Sequence, residues 1–125
     1  MLAALGIKPD AHVLCFGDSL TEGFPSGNAY CEELQRRLAS SSAHARVQVE
    51  QHGVSGELVR EIHDRWRERA KPSAGVKPVG ECLVVLLAGT NDLGSVPARG
   101  QADTRVPRII AALRDSFFLL TGSHI

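Results

Sequence analysis

Six apolar residues in a row, Leu83-Val84-Val85-Leu86-Leu87-Ala88, separate Cys82 from the polar cluster Gly89-Thr90-Asn91-Asp92. A strand with one wet face alternates apolar and polar side chains. This run does not alternate, so both of its faces must be covered. An α/β layered fold meets that condition by sandwiching a parallel sheet between helices. The run is therefore expected as a central strand with neighbours on both sides.

The rest of the chain supplies matching parts. Residues 11–17, AHVLCFG, are a second apolar run bounded by Pro9-Asp10 and Gly17-Asp18, and read as a buried strand. Residues 45–53 alternate Val47 and Val49 with polar neighbours, as a strand near an edge does. Between these strands, residues 28–40 carry Tyr30, Cys31, Leu34 and Leu38 near helical spacing, with Asn28 placed as an N-cap. Residues 55–70 carry Leu58, Ile62 and Trp66 four apart, with Ser55 as N-cap. Residues 71–80 are punctuated by Pro and Gly and read as a loop, as do the polar residues 94–104. A third helix is expected over 105–116, with Ile109, Ile110 and Leu113 inward and Pro107 in its first turn. The following FFLLTG reads as the start of a fourth strand. Strand and helix thus alternate three times, without repeats or low-complexity tracts.

At 125 residues the chain suits one domain, 1–125, and its 43% hydrophobic content suffices for a core. Basic and acidic residues balance at 14 each. That leaves no basic footprint, so no nucleic-acid partner is expected. Three cysteines, Cys15, Cys31 and Cys82, have no metal-ligand spacing and form no even disulfide set. Cys15 and Cys82 sit in apolar runs and read as buried thiols in a reducing compartment. The N-terminus lacks the basic flank of a signal peptide and no run is long enough for a membrane span, so a cytoplasmic protein is expected.

Ligands of open parallel sheets bind outside the carboxyl ends of the strands. Three small polar clusters fall there: Gly17-Asp18-Ser19, Gly53-Val54-Ser55-Gly56 and Gly89-Thr90-Asn91-Asp92. Together they suit acyl transfer. Ser19 sits at a strand-to-helix turn, where its hydroxyl is available as nucleophile. The backbone N–H groups of Ser19 and Gly56 and the Asn91 amide would form a three-donor oxyanion hole, with Asp18 and Asp92 supporting. The residue two after Ser19 is Thr21, so this is no G-x-S-x-G elbow, and no Gly-Lys pair exists for a P-loop. A flavodoxin-like phosphate or nucleotide binder, using the same loops as anion cradles, is a competing reading.

With FGDSLTEG (16–23), GVSGE (53–57) and GTND (89–92), the sequence resembles the SGNH (GDSL) hydrolase superfamily. These look like its first three blocks, in order. The resemblance implies a flavodoxin-like three-layer α/β/α fold shared by esterases, lipases, thioesterases and carbohydrate esterases. It implies Ser19 as nucleophile, Gly56 and Asn91 as oxyanion donors, a small ester or thioester as substrate, and no cofactor. Gln51 stands where the family often has asparagine.

The family's base comes from an Asp-x-x-His block. No aspartate or glutamate here precedes a histidine by three residues. The chain is accordingly expected to be the N-terminal portion of a larger, C-terminally incomplete domain. His12, His44 and His63 read as ordinary surface or boundary residues, leaving His52 and His124 as substitutes. A sheet edge left uncovered would favour self-association. Beside the ester hydrolase stands a second reading, a non-catalytic binding or regulatory relative that retains the oxyanion pocket.

Overall fold

The structure, a computed structural model, describes residues 8–70, 82–94, 100 and 104–121. It is an α/β fold built on a parallel sheet, as the unalternating run requires. Strands β1 (His12–Gly17), β2 (Gln48–Gly53) and β3 (Cys82–Leu87) lie in the order β2-β1-β3. Both pairings are parallel, and His12 faces Gln48 on one side and Cys82 on the other.

Alternate residues of the sheet feed two core layers. Val13 and Cys15 pack with Cys31 and Leu38 of helix α2 (Tyr30–Ala39) and with Val47, joined by Leu83 and Val85. Leu14 and Phe16 pack with Ile62 and Trp66 of helix α3 (Val59–Ala70), joined by Val84, Leu86 and Ala88. Helix α5 (Arg105–Thr121) packs against α3. Two short helices follow strand ends: α1 (Ser19–Glu22) after β1 and α4 (Thr90–Leu93) after β3.

Among the described residues the central strand is β1, whose Val13, Leu14 and Cys15 are wholly buried, and β3 stands at an edge, with Leu87 exposed. An apolar run reports that two faces are covered, but in-plane neighbours bond through the backbone and leave no mark on side chains. Several other expectations need correction. The α2 N-cap is Ala29, without a side-chain bond, while the backbone N–H of Asn28 donates to Ser26 Oγ. Helix α3 starts at Val59, not Ser55, because Ser55 is engaged elsewhere. Its buried stripe is Val59, Ile62 and Trp66, and Leu58 is exposed. Ile110 likewise faces outward on α5. Residues 117–121 continue α5 instead of starting a strand. No Gly or Pro lies between Pro107 and Gly122 to stop the helix, and a short apolar run does not by itself distinguish strand from helix. Residue β2 placement at the sheet edge agrees with its alternating pattern. The loops expected over 71–80 and most of 94–104 lie outside the described residues.

Candidate active site

The carboxyl ends of the three strands carry the three polar clusters, as parallel topology dictates. Asp18 follows β1 and is wholly buried. Its Oδ1 accepts from Leu20 N–H at 3.0 Å, and its carbonyl accepts from Thr21 and Glu22 N–H at 3.1 and 3.0 Å. Asp18 therefore caps α1 and fixes Ser19 as the first residue of that turn. The other Asp18 oxygen, Oδ2, is buried without a hydrogen-bond partner among the described residues. The Ser19 carbonyl closes the turn by accepting from Gly23 and Phe24 N–H, both at 2.9 Å.

The end of β2 presses directly on this turn. A Cβ added to Gly53 would lie 2.6 Å from the Thr21 carbonyl carbon and 2.8 Å from the Asp18 oxygen. Only glycine permits that approach. Gly56, three residues on, is a glycine for another reason: its φ is +82°, and a Cβ there would meet no atom within 4 Å. The space above Gly56 is open.

Two side chains hold the Gly56 loop from opposite sides. Glu22 of α1 accepts from Ser55 N–H at 2.8 Å and from the Ser55 hydroxyl. Asn91 of α4 donates one Nδ2–H to the Glu57 carbonyl at 2.9 Å. An amide carries two N–H donors, so this bond orients the group and leaves a second donor. The path Glu22–Ser55–Gly56–Glu57–Asn91 ties all three clusters together. Asp92 Oδ2 accepts from Val59 N–H at 3.0 Å and caps α3. A cavity of about 640 Å³ opens between α3 and α5, with Asn91, Asp92 and His63 on its wall.

The histidines go elsewhere. His52 stacks on Phe16 with ring centroids 4.5 Å apart, and its Nε2 bonds Glu50 at 2.8 Å. Both contacts hold it on the α3 face of the sheet. His12 Nδ1 also meets Glu50, at 3.4 Å, from the amino end of β1. His44 lies in the turn before β2, and His63 pairs with Asp64 at 3.2 Å. His124 is outside the described residues. Cys15 is no rival nucleophile: burial first, then its hydrogen bond with Cys31, pushes the thiol up to about 12.

Sequence reasoning missed three members of this neighbourhood. Glu22 and Glu57 lay inside the quoted blocks without an assigned task. Arg65 lay in the charged stretch of α3, which resembles any solvated face. It donates to Glu57, eight residues away, and to backbone carbonyls, a pattern with no sequence signature.

A model of the GDSL-like lipase/acylhydrolase family matches residues 15–122. The structure is similar to AlinE4, an SGNH-hydrolase family esterase, with a TM-score of 0.51 and 28% identity over 84% of this chain and 53% of that one. It shares its fold with LAE5, an α/β hydrolase enzyme from the metagenome of Lake Arreo, Spain, at a TM-score of 0.50 and 20% identity over 85% of this chain and 56% of that one. The chain thus spans about half the length of these solved relatives. No curated protein matches the sequence. Among the described residues no helix is long and apolar enough to cross a membrane. The match to the family model over most of its length places this chain in the GDSL-like lipase/acylhydrolase family.

Proposed function

We propose that this chain carries the nucleophile and oxyanion hole of a serine ester hydrolase acting on a small ester or thioester. The observation that carries the reading is the hydrogen-bonded path from Glu22 through Gly56 to Asn91, which gathers the three clusters at one sheet edge. Ser19 Oγ bonds to the acyl carbon while its proton leaves to a general base. The carbonyl oxygen takes the negative charge and is held by the N–H groups of Ser19 and Gly56 and by the second Asn91 Nδ2–H. Collapse expels the alcohol or thiol, which takes up the proton, and leaves an acyl-Ser19 ester that water then cleaves. Each oxyanion donor is worth roughly 10²–10³ in turnover, because it stabilises charge present only in the transition state.

Fluorophosphonate labelling read by intact mass tests this. One adduct is expected on the folded chain and none on Ser19→Ala. A folded chain that stays unlabelled overturns turnover by these residues as they stand, because Ser19 then lacks an activating base, and favours a binding relative that keeps the pocket.

A further inference from the structure

Resting on that reading, we propose that Arg65 is a positioning residue for the oxyanion pocket, holding both ends of the loop that presents Gly56. The guanidinium grips the end of the loop through Glu57: Nε lies 2.9 and 2.8 Å from the two carboxylate oxygens, and Nη2 lies 2.7 Å from Oε2. The same Nη2 grips its beginning, donating to the His52 carbonyl at 2.8 Å and the Gly17 carbonyl at 3.3 Å. The Gly17 carbonyl also accepts from Val54 N–H at 3.1 Å, so β1, the start of the loop and Arg65 meet at one oxygen.

Glu57 is the hinge of the argument. Its carboxylate belongs to Arg65 and its carbonyl holds Asn91. Two of the three oxyanion donors, Gly56 N–H and Asn91 Nδ2–H, therefore take their position from one ion pair. The pair is sheltered, with side-chain exposures of 29% for Arg65 and 15% for Glu57. Arg65 is itself fixed, its guanidinium carbon 5.6 Å from the centre of the Phe16 ring. A planar fork serves the two carboxylate oxygens and two carbonyls at once; a lysine ammonium has no such geometry. Removing the fork leaves a sheltered carboxylate unpaired and takes one donor from each of two carbonyls, so the loop loses the restraint at both of its ends and is left with the bonds from Glu22 and Asn91.

The test compares wild type with Arg65→Ala, Arg65→Lys and, where an arginine variant fails to fold, Glu57→Gln. Two readouts are taken: the rate of fluorophosphonate labelling at Ser19, and the nuclear magnetic resonance signals of the Asn91 side-chain amide and the backbone amides of residues 55–57. A misplacement of about 1 Å near a reacting centre costs up to ~10²-fold, so labelling is expected to slow by roughly 10- to 100-fold in each variant. The Asn91 and loop signals should shift, while β1 amides stay in place, and lysine should not rescue. Labelling at the wild-type rate in a folded variant overturns the positioning role and leaves the hydrolase reading intact. Full rescue by lysine also overturns it, since charge alone would then suffice. Wild type that does not label, with loop signals that still shift in the variants, overturns the hydrolase reading and leaves the hold of Arg65 on the loop. Loop signals that do not move overturn the hold itself.

Discussion

Gly53, the last residue of β2, and Gly56, in the loop that follows, are glycines for unrelated reasons. At Gly53 the obstacle is backbone: the Thr21 carbonyl carbon and the Asp18 oxygen would lie 2.6 and 2.8 Å from an added Cβ, and neither can move without dragging α1. At Gly56 there is no obstacle in space, only a φ of +82° that costs an L-residue about 1–2 kcal/mol. Gly53→Ala should therefore be the more damaging, by about 1–3 kcal/mol of overpacking beyond any strain, and it should also displace Ser19 by pushing α1. Gly56→Ala should lose about 1–2 kcal/mol and keep the α1 turn. Urea unfolding of the two variants decides: a larger loss at Gly56 than at Gly53 contradicts this ranking.

Helix α3 shows how the functional loops are secured by an element outside them. Its N-terminus is bonded by two carboxylates, Asp92 Oδ2 to Val59 N–H at 3.0 Å and Glu61 Oε2 to Leu58 N–H at 2.8 Å. The first comes from the GTND cluster, so the Asn91 loop and α3 are locked together. Asp92→Ala should cost about 1 kcal/mol, as the loss of a cap does, and Asp92→Asn should recover part of it by keeping an oxygen acceptor without the charge favoured at a helix N-terminus. Equal stability of wild type and Asp92→Ala by thermal unfolding contradicts the cap. This is also where legibility in the sequence divides. Ile62 and Trp66 were readable as the buried stripe because apolar burial follows helical spacing. The start of α3 was not, because Ser55, a plausible N-cap, is taken by Glu22, thirty-three positions away along the chain. The three clusters were readable because chemistry at strand ends needs small and polar residues. The clamp of Arg65 was not, since carbonyls of Gly17 and His52 are present whatever the side chains are.

At the scale of the whole molecule, α3 staples the edge strand β2 to the sheet from its flank, with Ile62 and Trp66 buried beneath. Arg65 holds the carboxyl end of β2, and one turn later Arg69 reaches Glu50 in its middle, at 3.2 Å. Glu50 also meets His52 at 2.8 Å and His12 of β1 at 3.4 Å, so one carboxylate joins two strands and a helix. Burial opposes its ionisation, but the bonds from His52, Arg69 and His12 and the Arg69 charge outweigh burial and hold the group down at about 2, against an ordinary 4.5. A carboxylate depressed on folding contributes stability that is complete above the unfolded value and disappears as pH falls through the folded one. The window here runs from 4.5 down to about 2. Glu33 on α2 is held to about 2 in the same way, by hydrogen bonds from Arg36 and then Arg37, but it is exposed and its pairs are screened by salt. Measured in salt, the stability advantage of wild type over Glu50→Gln should be present at pH 4.5 and should close toward 2. An advantage that does not change with pH would mean that Glu50 acts through packing alone. The staple matters to the site because β2 ends in Gly53, and whatever lets this edge strand slide moves Gly56 relative to Ser19.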